Sequence, residues 1–165
     1  MTATTFGTGT APGLTTQEPI LPAPRPGLYL TARPGGITAH LTADQHTVQT
    51  VRALALTVLV AHGVDLDTAE SAQLVLSELL GNAVRACGPH TPLVVEVYRS
   101  RGTDAIVSVH DPLADTAPRR TSTPADSDDA ESGRGLTLID ILAPGWTVQP
   151  SPIGKAIHCR VRAAG

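Results

Sequence analysis

Aromatic residues are nearly absent from this chain of 165 residues, which contains one Trp, one Phe and two Tyr. Proteins that bind single-stranded nucleic acid stack bases on aromatic side chains, and four such residues supply little surface for stacking. A basic excess is also missing, because 12 Lys and Arg stand against 15 Asp and Glu. Binding to a phosphate backbone depends on such an excess. Direct binding of DNA or RNA is therefore not expected, and the hydrophobic core must be aliphatic.

Cysteines and long apolar runs are scarce as well. Cys87 and Cys159 are the two cysteines, and their spacing fits neither a disulfide framework nor a zinc site, which predicts two buried thiols. The longest apolar stretch, residues 53–61, is far shorter than the ~20 residues of a membrane span. No basic region followed by an apolar run stands at the amino terminus, so no secretory signal is expected. We therefore expect a cytoplasmic protein without membrane attachment.

The residues that are present fit one domain behind a tail. A hydrophobic fraction of 41% and a formal net charge of -3 suit a single globular domain. Residues 1–27 are rich in Gly, Pro and Thr without a sustained apolar period, which predicts a disordered tail. Residues 28–165 are expected to form the domain. Within it, residues 112–132 have no periodicity, which is typical of a functional lid or an insert.

Two amphipathic helices are predicted in the first half of the domain. Residues 42–45 (TADQ) and 67–70 (DTAE) fit capping boxes, and each is followed by apolar residues at spacings of three and four. Gly63 and Gly88 are expected to end these helices, because glycine adopts the left-handed conformation of a helix cap. The two helices are predicted to form one layer.

The apolar period then changes from about four to two. Residues 93–99 and 105–110 alternate apolar and polar positions, which predicts an antiparallel hairpin. The pattern next predicts a short helix through residues 136–142. It then predicts a second hairpin near the carboxyl terminus, with strands at residues 146–149 and 155–161. A short edge strand is also predicted at residues 28–30. This order of elements predicts an α+β fold, a two-layer sandwich with helices on one face of a mostly antiparallel sheet.

The second predicted helix carries Glu78 and Asn82, which are four residues apart and therefore share a face. A carboxylate and a carboxamide oxygen together suit Mg²⁺, which prefers hard oxygen ligands. Glu78 can also accept a proton from an attacking hydroxyl group. A solvated helix face explains the same spacing, so the pair alone does not decide between the two.

Two further groups of residues can bear chemistry. Gly133, Arg134 and Gly135 precede the third predicted helix, where bare backbone N–H groups and the helix dipole favour an anion such as phosphate. A plain turn into the helix explains the three residues equally well. Asp111 ends a predicted strand and can accept a hydrogen bond from the exocyclic amine of a base. An Asp that initiates a turn before Pro112 is the alternative.

Taken in order, these groups are much more specific than any one of them. Residues 77–84 (SELLGNAV), 109–112 (VHDP) and 131–136 (ESGRGL) resemble the N, G1 and G2 boxes of the GHKL superfamily, the ATP-binding domains of gyrase, Hsp90, histidine kinases and MutL. The short single-domain format is similar to that of the anti-sigma factor serine kinases. The resemblance covers residues 42–161 and implies the Bergerat-type ATP-binding fold.

The resemblance implies roles for the matching residues, with ATP and Mg²⁺ as cofactors. Glu78 would be the general base, Asn82 would hold the Mg²⁺ that bridges the ATP phosphates, and Asp111 would bind the adenine amino group. The implied contacts to the rest of the nucleotide come from Gly133, Arg134, Gly135 and Leu136.

The chain departs from the family pattern at two of these boxes. The G1 box usually reads Asp-x-Gly-x-Gly, whereas residues 111–115 (DPLAD) supply the Asp and neither glycine. The N box often closes with a His where this chain has Ala86. Lys155, the only lysine, follows Gly154 at a strand start. An ordinary exposed residue is the interpretation that we favour for it, and a contact near the phosphates is the alternative.

The implied function is that of an ATP-binding regulator. It would transfer a phosphoryl group from ATP to a serine of a small antagonist protein and so control transcription by partner switching, with a sigma factor or the anti-sigma antagonist as partner. A catalytically inactive module that senses nucleotide or only binds protein is the alternative, and whether the protein forms a homodimer is left open. Residues 111–131 carry a net charge of -4, so that the rest of the chain is at +1. A basic partner surface would complement this acidic segment.

Overall fold

The computed structural model describes residues 21–115 and 130–164. The predicted tail up to residue 20 and the larger part of the predicted lid, residues 116–129, lie outside the described residues. The described elements are, in chain order, β1 (Leu28–Arg33), β2 (Gly36–Thr42), α1 (Gln45–Ala61), α2 (Leu66–Cys87), β3 (Pro92–Arg99), β4 (Ala105–Asp111), α3 (Ala130–Leu142), β5 (Thr147–Ser151) and β6 (Gly154–Val161).

The six strands form one open sheet in the order β1-β2-β3-β4-β6-β5, and every neighbouring pair is antiparallel. α1 packs on β2 and β3, and α2 packs on β4 and β6. The side chains that alternate towards the helices are buried, for example Val95 of β3 and its partners Ala39 and Val109. The predicted α+β sandwich with helices on one face of an antiparallel sheet is therefore confirmed.

The core between sheet and helices is aliphatic, as the shortage of aromatic residues predicts. Among the described residues, the buried hydrophobic side chains are Leu, Ile, Val and Ala together with Cys159. α2 contributes one stripe to this core at spacings of three and four, which consists of Ala69, Ala72, Val75, Leu76, Leu79, Leu80 and Ala83. The opposite face of α2 stays partly exposed, and it is this face that carries the polar residues of interest.

The helix starts differ from the predicted ones by two residues. α1 is capped by Asp44, whose side chain accepts a hydrogen bond of 2.8 Å from the backbone N–H of Thr47, and not by Thr42. Thr42 is the last residue of β2 and is used by the strand. α2 is capped by Asp65, not by the predicted Asp67. In both cases several Asp and Thr residues compete for the cap, and the neighbouring strand or turn decides which of them has the extended backbone that a cap needs.

The first hairpin was predicted only in part. The sequence predicts a strand at residues 28–30, and the structure extends this strand to Arg33 and adds β2, which pairs with both β1 and β3. β2 begins at Gly36, where a Cβ atom would lie 2.0 Å from the carbonyl oxygen of Val97. Glycine is required there because the backbones approach too closely for any side chain.

None of the helices among the described residues combines the length and the apolar character that crossing a membrane would take.

Candidate functional site

The outer face of α2 brings three polar side chains into one row. Glu78, Asn82 and Arg85 lie at helical spacings of four and three, and both Glu78 and Asn82 are half-buried. The guanidinium group of Arg85 donates a hydrogen bond to Oδ1 of Asn82. It also lies over Gly81, where a Cβ atom would be 3.3 Å from Nη1 of Arg85. The pair predicted from spacing is therefore extended by an arginine that sequence reasoning missed, although its i+3 position from Asn82 was readable.

The carboxamide of Asn82 is held at one end only. Its Oδ1 accepts from Arg85, whereas its Nδ2 is buried and has no hydrogen-bond partner within the part of the chain that the structure describes. A buried donor without a partner costs about 1–3 kcal/mol. Such a group is expected where a ligand completes the hydrogen bonding, and a phosphate oxygen is a suitable acceptor.

Asp111 ends β4 with its side chain on the helix-facing side of the sheet, where the residue is 3% exposed. Its Oδ1 accepts a hydrogen bond of 2.9 Å from the backbone N–H of Leu113 and another of 2.8 Å from Nζ of Lys155. Nζ of Lys155 also donates to the carbonyl oxygen of Leu113 at 2.8 Å. The aspartate of the G1-like segment is thus fixed from two sides.

Lys155 is not the exposed residue that we predicted from the sequence, since it is only 4% exposed. It lies directly opposite Asp111 in the β4–β6 register, and the two form an ion pair. In β6 it shares one face of the strand with Ile157 and Cys159, which follow at every second position and are buried on the same side of the sheet. That alternation was the signal that could have placed Lys155 inside.

Cys87, the last residue of α2, lies beside this ion pair. Burial, and after it the negative charge of Asp111, raise the pKa of the Cys87 thiol, while the ammonium group of Lys155 acts in the opposite direction. The end of α2 is therefore adjacent to Asp111. At a rise of 1.5 Å per residue, Asn82 lies about 7 Å and Glu78 about 13 Å further back along the helix axis. The order along the site is Asp111, Asn82, Glu78.

The third motif lies inside a helix rather than ahead of it. α3 begins at Ala130, so that Gly133, Arg134 and Gly135 fall within its first two turns. From the fifth residue of a helix onward the backbone N–H groups are bonded within the helix, and this includes Arg134 and Gly135. The side chain of Leu136 is 3% exposed and belongs to the hydrophobic core. α3 as a whole packs against α2, which carries the first motif, and Asp111 lies beside the end of the same helix.

Most of the chain matches the model of one protein family. The model of the histidine kinase-like ATPase domain matches residues 41–159. The chain belongs to the histidine kinase-like ATPase family. The match runs from the end of β2 into β6 and includes α2, the end of β4 and α3. A search of curated proteins found no match.

Histidine kinase-like ATPase domains bind ATP, usually together with Mg²⁺. The residues on α2 fit this pair. A carboxamide and a carboxylate offer the oxygen ligands that Mg²⁺ prefers, and Asn82 and Glu78 are half-buried and accessible from the same side. The unpartnered Nδ2 of Asn82 suits the nucleotide, because it marks a place for an acceptor such as a phosphate oxygen, and Oδ1 would be the Mg²⁺ ligand once Arg85 releases it. The family match and this geometry make the domain an ATP-binding domain with Asn82 as the candidate Mg²⁺ ligand.

Proposed function

We propose that the protein is a Mg²⁺-dependent protein serine kinase that transfers the γ-phosphoryl group of ATP to a serine of a small antagonist protein. The observation that carries this proposal is the position of Glu78 on the same face of α2 as Asn82, one helical turn away. A domain that only binds nucleotide needs no carboxylate at this position. A kinase needs one that can accept the proton of the attacking hydroxyl.

The proposed reaction uses few groups of the protein. The serine oxygen forms a bond to the γ-phosphorus, the bond from this phosphorus to the β–γ bridging oxygen breaks, and ADP leaves. Glu78 accepts the hydroxyl proton and later returns it to water. Bound Mg²⁺ supplies neutralisation of charge on the phosphates. Arg85 is close enough to Asn82 to contact the phosphates once it leaves Oδ1, and Asp111 accepts a hydrogen bond from the adenine amino group.

The proposed partner is a sigma factor or the anti-sigma antagonist, and phosphorylation of the antagonist switches which of the two is bound. The resemblance to anti-sigma factor serine kinases supports this. The acidic segment of residues 111–131, with its net charge of -4, supports a partner with a basic docking surface.

The test combines binding and transfer. The purified protein is mixed with ATP, Mg²⁺ and a candidate antagonist, and phosphoserine on the antagonist is measured by mass spectrometry. Glu78→Gln is expected to keep ATP affinity within about 3-fold and to lower the transfer rate at least 100-fold, which is the lower end for loss of a general base. Glu70→Gln, an exposed change on the same helix, is the matched control and should leave both unchanged.

Two results would count against the proposal. If Glu78→Gln transferred phosphate at the wild-type rate, Glu78 would not be the base. If the wild type bound ATP tightly in calorimetry but phosphorylated no antagonist, the protein would be a nucleotide sensor.

A further inference from the structure

Lys155 and Gly154 form, with Asp111 and Leu113, a closed set of contacts that we call the clasp. Nζ of Lys155 donates to Oδ1 of Asp111 and to the carbonyl oxygen of Leu113, both at 2.8 Å, and the N–H of Leu113 donates to the same Oδ1 at 2.9 Å. The side chains of Asp111 and Lys155 are each 5% exposed. The clasp therefore fixes both the carboxylate and the backbone that follows it.

Gly154 completes the clasp through its backbone. A Cβ atom at this position would lie 2.3 Å from the carbonyl oxygen of Asp111 and 2.7 Å from the carbonyl carbon of Pro112. The φ angle of Gly154 is +154°, which other residues rarely adopt. Only glycine allows the β5–β6 turn to touch the peptide between Asp111 and Pro112.

The hydrogen bonds of the clasp leave one carboxylate oxygen of Asp111 outside the set. Both donors, the N–H of Leu113 and Nζ of Lys155, end on Oδ1, so that Oδ2 is not part of the clasp, and the Cys87 thiol also interacts with this carboxylate. A carboxylate fixed in this way accepts a hydrogen bond from an amino group in one direction. It repels a base that presents a carbonyl oxygen at the same place.

We infer that Lys155, with Gly154, is the positioning residue for recognition of the base. The inference rests on the proposed function, in which Asp111 binds the base. The clasp orients Asp111 towards the exocyclic 6-amino group of a purine. It acts on the base through Asp111 and does not contact the phosphates.

The test measures discrimination between two nucleotides. ATP and purine riboside 5′-triphosphate differ in the 6-amino group, and calorimetry gives the affinity ratio. The wild type is expected to prefer ATP by about 10-fold to 100-fold, as for loss of a hydrogen bond to a charged group. Lys155→Met should lower this ratio to below about 3-fold. The affinity of the variant for purine riboside triphosphate should change by less than about 3-fold, because that nucleotide has no amino group to bind Asp111. Circular dichroism shows whether the variant folds.

The controls separate this inference from the proposed function. Arg160→Met removes an exposed cation from the same strand and should leave the ratio unchanged. If Lys155→Met does not fold, Gly154→Ala keeps the cation, displaces the peptide of Asp111, and should lower the ratio as well. A folded variant of either kind that keeps the wild-type ratio overturns the inference. Failure of the wild type to bind either nucleotide overturns the proposed function instead.

Discussion

At the scale of single residues, a buried ion pair is expected where it performs a task that apolar side chains of the same volume cannot perform. Removing one partner of a buried ion pair typically costs about 3–5 kcal/mol, whereas an apolar pair of similar volume is often as stable as the ion pair. Lys155 and Asp111 form such a pair at the rim of the core. On the inference drawn above, this ion pair serves to orient the Asp111 carboxylate beside the end of α2 and does not serve mainly to stabilise the fold.

Cys159 is expected to make the protein sensitive to alkali. Burial raises the pKa of its thiol to about 12 from 9.0. The stability from the protonated thiol is complete below pH 9 and is lost as the pH rises towards 12, because only the unfolded chain ionises in that window. Between pH 8 and pH 10.5 the wild type should lose about 2 kcal/mol more unfolding free energy than Cys159→Val. Urea unfolding at both pH values measures the difference, and equal losses would contradict the prediction.

Cys87 is expected to report on occupation of the base site. Its raised pKa predicts slow alkylation by iodoacetamide at neutral pH and a rate that rises with pH beyond 9. On the proposed role of Asp111, ATP should slow the reaction, because a base held by Asp111 would lie beside the thiol. Mass spectrometry of labelled peptides measures the rate.

Cys159, which is 0% exposed, is the internal control for this experiment and should stay unlabelled in the folded protein. The predicted pair of buried thiols holds only for Cys159, since Cys87 is half-buried, and labelling of Cys159 before Cys87 would contradict this difference in burial. An unchanged rate at Cys87 under saturating ATP would contradict the placement of the base.

At the scale of elements, local chemistry decided the type of each helix but not its first residue. The pKa values of Asp44 and Asp65 are lowered, mainly by the hydrogen bonds that they accept from the backbone N–H groups of Thr47 and Thr68. Both are therefore true caps. The predicted cap of α1 was two residues too early, and that of α2 was two residues too late. A capping box is recognised by its spacing, and the sequence offers more than one Asp or Thr with that spacing.

The glycines of α3 are expected to act in opposite directions on stability and on ligand binding. Gly133→Ala and Gly135→Ala each raise helix propensity by about 0.5–1 kcal/mol, so the unfolding free energy should rise. In the proposed site this segment binds the phosphates through backbone N–H groups, and for Gly135 this requires the first turns of α3 to open, so ATP affinity should fall several-fold. Calorimetry and urea unfolding measure the two effects.

Thr57→Ala on the exposed side of α1 is the matched control for these variants, since it raises helix propensity away from the site. It should leave ATP affinity unchanged. If the glycine variants bound ATP as tightly as the wild type, the backbone of this segment would not bind the phosphates.

For the whole molecule, the decisive feature is that the elements carrying three distant motifs meet at α2. The clasp lies at the end of α2, Asn82 and Glu78 lie further back on it, and α3 packs beside it. Each motif had an ordinary structural explanation by itself. Their convergence, together with the family match over residues 41–159, removes that ambiguity for the domain as a whole.

Bound ATP is expected to stabilise the whole domain. At a free ligand concentration of 100 times Kd, binding raises the unfolding free energy by about 2.7 kcal/mol, and Tm should rise by several degrees. GTP, which presents a carbonyl oxygen to Asp111, should shift Tm much less. Asn82→Ala should lose the part of the shift that depends on Mg²⁺. Thermal unfolding with each nucleotide, with and without Mg²⁺, measures this, and equal shifts by ATP and GTP would contradict the proposed role of Asp111.

Local patterns predicted most elements of the fold, and the strand that they missed stands between two competing signals. The two hairpins of residues 92–111 and 147–161 and the helices follow from periods of two and about four. β2 was missed although residues 37–42 alternate apolar and polar side chains, because Gly36 follows a Pro-Gly turn signal and Thr42 was assigned to the cap of the next helix. It is a strand because β1 and β3 pair with it on both sides.

The sequence by itself determined the fold class and the aliphatic core, and it predicted Glu78, Asn82 and Asp111 as candidate site residues, since periodicity and motif spacing are properties of the chain. Only the tertiary structure decided that Lys155 is buried against Asp111, that Arg85 binds Asn82, and that Cys87 lies beside Asp111 and Lys155. The physical reason is distance along the chain. Asp111 and Lys155 are 44 residues apart, and only the register of β4 with β6 brings them together.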